Sequence, residues 1–317
     1  MRFLIYGAGA LGQAVGCMLA ASGNNVELIT RSRFIPAIAQ QGLRVTGIFG
    51  DYFCQPKQLR LFTNLEQVTG LYDYILVTTK AYDTRTAAQD ISAANLSCGH
   101  LVSMQNGCGN MEILTQHFAA EKCLGARVIT GFEIREPGHV AITVSADAIH
   151  VGSCLPGSIP AAARQLAELI TAAGHPTLAV ADIHRSLHAK LLYNCTLNPL
   201  GALLGVHYGI LGEMKESKEI MAQVIDETMA VIEAMGRTMP WPNGDAYRQE
   251  FYSKLLPATY HHRPSMLQDL ESSKPTEIDA LTGYVSKEGA AHGVATPVCD
   301  MLTRLVRCRQ QLARKQA

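Results

Sequence analysis

Directly after the apolar run Arg2-Phe3-Leu4-Ile5-Tyr6 the chain reads Gly7-Ala8-Gly9-Ala10-Leu11-Gly12. A helical pattern then runs from Ala10 to Ser22, with Leu11, Val15 and Leu19 on one face. A short buried strand, a glycine turn and a helix, in that order, form the opening unit of a parallel α/β sheet. Each glycine has its own task in such a turn. Gly7 allows the tight reversal, Gly9 lets a phosphate-bearing ligand approach the backbone, and Gly12 lets helix and strand pack closely. The helix start then offers N–H groups and the positive end of a dipole to an anion. The flanking strand and helix are the context that a dinucleotide-binding turn requires; the plainer alternative is a glycine turn that binds nothing.

The rest of the first half continues the alternation. Val26–Thr30, Tyr74–Thr78, His100–Met104, Arg127–Thr130, Val140–Val144 and Thr177–Val180 read as extended, with a helix over Ala161–Ala173. From His184 onward the segments are long and helical in period: Leu211–Met235 sets Met214, Met221, Ile225, Ile232 and Met235 near one face, and Met301–Arg309 continues the habit. The expected fold is therefore α/β, with an N-terminal Rossmann-like, doubly wound sheet over residues 1–181 and an all-α domain over 182–317. A length of 317 residues suits about two domains.

Composition narrows the function classes. Twenty-seven basic residues balance 27 acidic ones, and only 17% of residues are charged against 48% apolar. That leaves no excess of Lys and Arg for neutralising nucleic-acid phosphates. The apolar content is that of a packed interior rather than a disordered chain. No apolar run reaches the ~18 residues of a membrane span. Glycines at 7, 9, 12 and 16 interrupt the N-terminal apolar stretch, so no targeting signal is expected there. The nine cysteines are odd in number and never spaced C-x-x-C, which fits reduced, buried thiols in a cytoplasmic protein.

Which dinucleotide is expected follows from the end of the second strand. Sites that prefer NAD place an acid there to accept from the ribose 2′-hydroxyl. Here the chain reads Thr30-Arg31-Ser32-Arg33, and Glu27 falls three residues too early, inside the strand. A guanidinium cannot accept a hydrogen bond but pairs well with a 2′-phosphate, so NADP(H) is favoured. The alternative is a pair of solvated surface arginines.

Further on, Lys190, Asn194 and Asn198 are spaced i, i+4, i+8 on a segment that reads as helical until Pro199. They fall within about 80° of one another on the helix, so they share a face. Leu191, Leu192 and Leu197 around them are apolar, and a polar stripe in such a helix needs partners or a ligand. A lysine there could donate a proton; a capped helix with a surface lysine fits the same pattern. Glu277, in Thr276-Glu277-Ile278-Asp279, reads alone as a solvated acid on a helix.

Taken together, these motifs resemble the ketopantoate reductase (2-dehydropantoate 2-reductase) family over nearly the whole chain. The resemblance includes the turn at Gly7–Gly12, Lys80 in TTKA, and Gln105-Asn106-Gly107-Cys108-Gly109. It continues through KLLYNCTLNPL from Lys190, SMLQD from Ser265, TEID from Thr276 and AHGVATP from Ala291. It implies Lys190 as proton donor to the substrate carbonyl oxygen, Asn194 and Asn198 as substrate contacts, and Ser265 at the carboxylate end. It implies Glu277 as the group orienting substrate or lysine and touching the nicotinamide ribose. Lys80 and Asn106 would be cofactor contacts, Asn106 also meeting the substrate, and Arg31 the partner of the 2′-phosphate. One departure stands out: where the family has a further substrate asparagine before a glycine, this chain has Tyr208 before Gly209. Thr130–Pro137 reads as a loop, longer than in the family pattern.

The expected chemistry is hydride transfer from NADPH to the ketone carbon of 2-dehydropantoate or another 2-oxo acid, in a cleft that excludes water. An NADP-sensing protein without chemistry is the competing expectation, although it would have no need of Lys190, Asn194 and Glu277. His184 and His188 lack a nearby third metal ligand, and no G-x-S-x-G occurs, so neither metal nor serine-nucleophile chemistry is expected. The Met-rich helical region could supply a homodimer interface.

Overall fold

The computed structural model describes residues 1–94 and 96–316. They form two units, one of Met1–Asn106 with Asn110–Ile183, the other of Gly107–Gly109 with the residues from His184 onward. The strands of the first unit are β1 (Arg2–Tyr6), β2 (Asn25–Ile29), β3 (Leu43–Gly47), β4 (Tyr52–Cys54), β5 (Leu59–Phe62) and β6 (Gly70–Val77). They continue with β7 (Leu96–Ser103), β8 (Cys123–Arg127), β9 (Thr130–Glu136), β10 (His139–Ser145), β11 (Ile149–Ser153) and β12 (Thr177–Ala179).

Eight of these strands form one sheet in the order β12-β11-β8-β7-β6-β1-β2-β5. β1 pairs in parallel with β2, Phe3 opposite Val26, and with β6, Phe3 opposite Tyr74. From β1 the chain builds β2 and β5 on one side, then β6, β7 and β8 on the other. The order thus reverses between β1 and β6, and doubly wound sheets leave a ligand crevice at the carboxyl ends of the strands flanking such a reversal. β11 runs antiparallel to its neighbour β8, and β12, parallel to β11 at the edge, shares its direction.

Side chains alternate through this sheet. Phe3, Ile5, Tyr74 and Leu76 face a core that includes the helix Ala10–Ala21, whereas Leu4, Ile75 and Val77 face Ala87, Ala88 and Ile91 of the helix Thr84–Ala93. Each fully buried Leu, Ile or Phe contributes about 1.5–3 kcal/mol. The helix Ala10–Ala21 is buried on more than the one face the sequence pattern marks, because Gly12 through Ala20 are all buried. A second, four-stranded sheet of order β4-β3-β10-β9 packs on it, together with β1 and β2 of the large sheet. Ala14, Gly16 and Cys17 keep that doubly covered helix slim, and Cys17 Sγ donates to the Leu43 carbonyl at 3.1 Å. This small sheet was not legible in the sequence. The expected strand Arg127–Thr130 instead straddles the end of β8 and the start of β9, which belong to different sheets. Thr130–Pro137, expected as a loop, is instead β9 and the entry to the turn into β10, because pairing with β10 makes it extended.

One acid of the first unit is committed to the fold. Glu27 on β2 is 1% exposed and accepts from Tyr72 Oη at 2.6 Å, Arg2 at 2.9 Å and Arg60 at 3.0 Å. Burial, together with that bond to Glu27, raises the Tyr72 phenol pKa, so the hydroxyl stays a donor.

The second unit is helical in its described elements. Its longest helix, Ile183–Leu204, contains Pro199 and continues past it. The sequence pattern is helical only until Pro199, and a proline inside a helix does cost about 3 kcal/mol. Here Leu197, Leu200 and Ala202 are all buried on either side of it, and that packing carries the helix to Leu204. The expected continuous segment Leu211–Met235 is divided into Tyr208–Leu211 and Lys215–Ala234. Met221, Ile225 and Ile232 face the core with Tyr247, Phe251, Val285 and Val306, whereas Met214 lies before the helix and is exposed. Among the described residues, no helix is long and apolar enough to cross a membrane, and all nine cysteines are free thiols.

Replacing Tyr72 by Phe removes one donor from the buried Glu27 carboxylate. The expected loss is about 1–3 kcal/mol of unfolding free energy in urea; an unchanged midpoint would show that this hydroxyl contributes nothing to the fold.

Candidate active site

The site begins where β1 ends. Gly7 has φ +94°, and a Cβ built there would lie 2.3 Å from Thr79 Cγ2 and 2.8 Å from the Thr79 backbone nitrogen. Only glycine allows the turn after β1 to approach the end of β6 so closely. The turn is fastened on both sides. Gly7 and Ala8 N–H groups donate to the Ile29 carbonyl at 3.2 and 2.8 Å, and Thr78 Oγ1 donates to the Gly7 carbonyl at 3.0 Å. The Ala8 carbonyl in turn accepts from Gln13 Nε2 at 2.9 Å and Thr30 Oγ1 at 3.1 Å.

Gly9 is different. Its φ is −76°, which any residue adopts, and a Cβ there would meet nothing nearer than the Gly7 carbonyl at 3.9 Å. The protein's own packing does not demand glycine at this position, so the cradle it leaves open suits a ligand. Gly9 is also the N-cap of the helix Ala10–Ala21, which has no side-chain cap and no acid in its first turn. Open space, backbone N–H groups and a helix dipole together fit the pyrophosphate of a dinucleotide.

Around this turn the first unit gathers Arg31, Lys80 and Asn106. Arg31 is exposed, two residues past β2. Burial raises the Asp83 carboxyl pKa and the Arg31 charge acts against that rise, which locates the guanidinium charge near the loop after β6. Arg33 lies over the Phe34 ring, 4.7 Å from its centroid. Lys80 and Asn106 are both half-buried, at the ends of β6 and β7.

Those two strand ends are tied by Gln105, a residue whose role no local sequence pattern shows. Gln105 Nε2 donates to Thr84 Oγ1 at 2.8 Å, Thr79 Oγ1 at 3.1 Å and the Lys80 carbonyl at 3.3 Å, and its Oε1 accepts from Ser103 at 3.2 Å. Thr84 Oγ1 donates onward to Asn110 Oδ1 at 2.8 Å, and Asn110 Nδ2 donates to the Asn106 carbonyl at 3.1 Å. The backbones carrying Lys80 and Asn106 are therefore held by one buried polar network. Its only sequence signal is the adjacency of Gln105 to Asn106.

The second unit holds Lys190, Asn194, Asn198, Ser265 and Glu277. Lys190 is half-buried on the helix Ile183–Leu204, one turn before Asn194. Asn194 and Asn198 are buried, and Asn198 Nδ2 donates to Asn194 Oδ1 at 3.2 Å. Ser265 is exposed at the first position of the helix Ser265–Glu271. Glu277 is not on a helix, as the sequence pattern had it, but caps the short turn Ile278–Ala280 and is buried. Just before it, the Thr276 N–H donates to Gln310 Oε1 at 2.6 Å, which pins that segment to the helix Pro297–Gln316. The rings of His184 and His188 lie 6.0 Å apart, and no cluster among the described residues has the side chains to hold a metal.

The two glycines separate fold from ligand. Gly7→Ala is expected to destabilise the protein itself, because both φ and space exclude a Cβ. Gly9→Ala is expected to keep the thermal midpoint and lose at least about tenfold in NADPH affinity by titration calorimetry, ~1.4 kcal/mol. Full affinity in Gly9→Ala would mean that no ligand approaches this turn.

Comparison with known proteins bears on the same residues. The family described as ketopantoate reductase PanE/ApbA matches residues 3–155, and its C-terminal part matches residues 182–310. A 2-dehydropantoate 2-reductase of Aquifex aeolicus is 36% identical over 98% of this chain and 97% of its own length. The crystal structure of 2-dehydropantoate 2-reductase from Geobacter metallireducens superposes with a TM-score of 0.86 at 29% identity, covering 97% of this chain and 99% of that one. The ternary structure of D-mandelate dehydrogenase with NADH and anilino(oxo)acetate superposes with a TM-score of 0.84 at 27% identity, covering 99% of both chains. A glycine cradle at the sheet's switch point, a lysine–asparagine helix face and a full-length match to these relatives coincide in one sequence: the chain belongs to the ketopantoate reductase family.

Proposed function

We propose that the protein reduces 2-dehydropantoate to pantoate with NADPH, a step that supplies pantothenate and coenzyme A synthesis. One observation carries this most of all: the similarity to 2-dehydropantoate 2-reductase spans 98% of the chain, including both the glycine turn and the helix bearing Lys190.

In this proposal the N–H groups at the start of Ala10–Ala21 and the turn Gly7-Ala8-Gly9 hold the pyrophosphate. Arg31 pairs with the 2′-phosphate, since β2 is followed by no acid and its own Glu27 is engaged by Tyr72, Arg2 and Arg60. Lys80 and Asn106, held by the Gln105 network, contact the cofactor near its reactive end. When bound, NADPH supplies the hydride for the ketone carbon.

The work left to the protein is electrostatic. A ketone accepts hydride poorly unless the charge growing on its oxygen is stabilised as it forms. Lys190 does this as a cation and then gives its proton to that oxygen. Glu277, as a buried carboxylate, keeps the lysine charged and aimed, against the tendency of burial to neutralise it. Asn194 and Ser265 orient the substrate, Ser265 at its carboxylate.

The structural likeness to D-mandelate dehydrogenase favours a second reading, reduction of a different 2-oxo acid with a bulkier side chain. Tyr208 in place of the family's asparagine points the same way. NADPH oxidation with a panel of 2-oxo acids separates the two: turnover centred on 2-dehydropantoate supports the first, turnover centred on an aryl or other branched acid the second, and turnover with none overturns both. With the best substrate, Lys190→Ala is expected to lower kcat by ~10²–10⁴-fold, the range for a general acid; near-full turnover would remove Lys190 from this role. Arg31→Ala is expected to raise the KM for NADPH by about tenfold or more while leaving that for NADH unchanged, as the loss of a charge-assisted contact to phosphate requires.

A further inference from the structure

Tyr208 sits where the family pattern has a substrate asparagine, yet it is more deeply buried than Asn194, 3% against 8% exposed, and its hydroxyl is engaged inside the unit. That hydroxyl donates to Asn198 Oδ1 at 3.1 Å, and Asn198 Nδ2 donates to Asn194 Oδ1 at 3.2 Å. These three groups form a directed relay within the second unit, running from the first residue of the short helix Tyr208–Leu211 onto the helix that carries Lys190. The tyrosine end is rigidly seated. Its ring packs edge-on to Tyr193 with centroids 6.0 Å apart and lies 5.1 Å from the His262 ring, and its backbone N–H donates to the His262 carbonyl at 3.1 Å. Tyr193 is itself tied to Thr259, oxygen to oxygen at 2.6 Å.

The polarity of the relay is set at this end. Burial pushes the Tyr208 phenol far above the ordinary tyrosine pKa, with Tyr193 adding to the rise, so the hydroxyl keeps its proton. A buried O–H must donate, and its acceptor is Asn198 Oδ1. The Asn198 amide then has only one way to face: carbonyl toward Tyr208, NH₂ toward Asn194. Asn194 receives that NH₂ on its carbonyl oxygen.

We propose that Tyr208 is the anchor of this relay, that Asn198 is a positioning residue rather than a substrate contact, and that the relay turns Asn194 so that its NH₂ end is the one offered to an oxygen of the 2-oxo acid. The proposal rests on the reductase function proposed above and refines its substrate site: one oriented amide donor, supported from behind, replaces a pair of asparagines both touching substrate. Tyr208 thereby affects substrate binding without contact.

The test compares Tyr208→Phe, which keeps the ring and removes the hydroxyl, with Asn198→Leu and the double variant. Tyr208→Phe is expected to raise the KM for the 2-oxo acid about 3- to 10-fold, the worth of one hydrogen bond, with the KM for NADPH unchanged and kcat moving less. Because both residues act through Asn194, the double variant should be no worse than Asn198→Leu alone. An unchanged KM in Tyr208→Phe, an equal rise in the NADPH KM, or additive effects in the double variant would each overturn the relay. A readout without turnover keeps the two proposals distinct: in ¹⁵N-labelled protein, Tyr208→Phe should shift the side-chain amide resonances of both Asn198 and Asn194 and speed their hydrogen exchange. If the wild-type protein reduces no 2-oxo acid, the reductase function is what fails; amides of Asn194 unmoved by Tyr208→Phe would overturn the relay itself.

Discussion

The contact on which the candidate site depends is the approach of the Gly7 turn to Thr79. Any side chain at Gly7 would overlap the end of β6, so the turn after β1 and the loop after β6 meet as backbone against backbone. That meeting occurs where the strand order reverses, and it determines what lies beside what. Gly7, two residues before the open cradle at Gly9, comes to stand against Thr78 and Thr79, and Gln105 then ties the loop after β6 to the end of β7 and to Asn106. A single close approach thus places the Gly7 turn and the two strand ends bearing Lys80 and Asn106 in one register.

The charge balance takes on a meaning that the zero net charge conceals. Of the acids near the second strand, Glu27 is buried under Tyr72, Arg2 and Arg60 and serves folding. Glu27 lies inside β2 rather than at its end, and the charged residues that directly follow the strand are Arg31 and Arg33. Both expected ligands are anions, and the cations proposed to meet them, Arg31, Lys80 and Lys190, are distributed over both units. Overall neutrality excludes an electrostatic grip on nucleic acid while saying nothing against such placed charge.

Much of this was legible in the chain because it is written in local patterns. The β1–turn–helix unit, the parallel strands Val26–Thr30 and Tyr74–Thr78, and the Lys190–Asn194–Asn198 face each follow from spacing over a few residues. What escaped has a common physical cause: it depends on partners distant in sequence. The small sheet of β3, β4, β9 and β10 exists because the helix Ala10–Ala21 is covered on more than one side, and no periodicity in Arg127–Thr130 reveals that β8 and β9 part into different sheets. Pro199 reads locally as a helix end, and only the burial of Leu197, Leu200 and Ala202 overrides it. Gln105 and Tyr208 likewise draw their roles from bonds to Thr84, Thr79 and Asn198, which no single stretch of sequence contains. The lysine–asparagine face was readable; the tyrosine that sets its polarity was not.

The central claim is that this chain moves a hydride directly from a nicotinamide dinucleotide, held by its pyrophosphate at the Gly7–Gly12 turn, to the ketone carbon of a 2-oxo acid. Its most direct test is a single-turnover reaction with NADPH carrying deuterium at both C4 positions, with 2-dehydropantoate as acceptor and the product examined by mass spectrometry and NMR. One deuterium per molecule, located at C2 of pantoate, is the result expected. Cofactor oxidation without deuterium at C2, or no oxidation with this or any other 2-oxo acid, would contradict it.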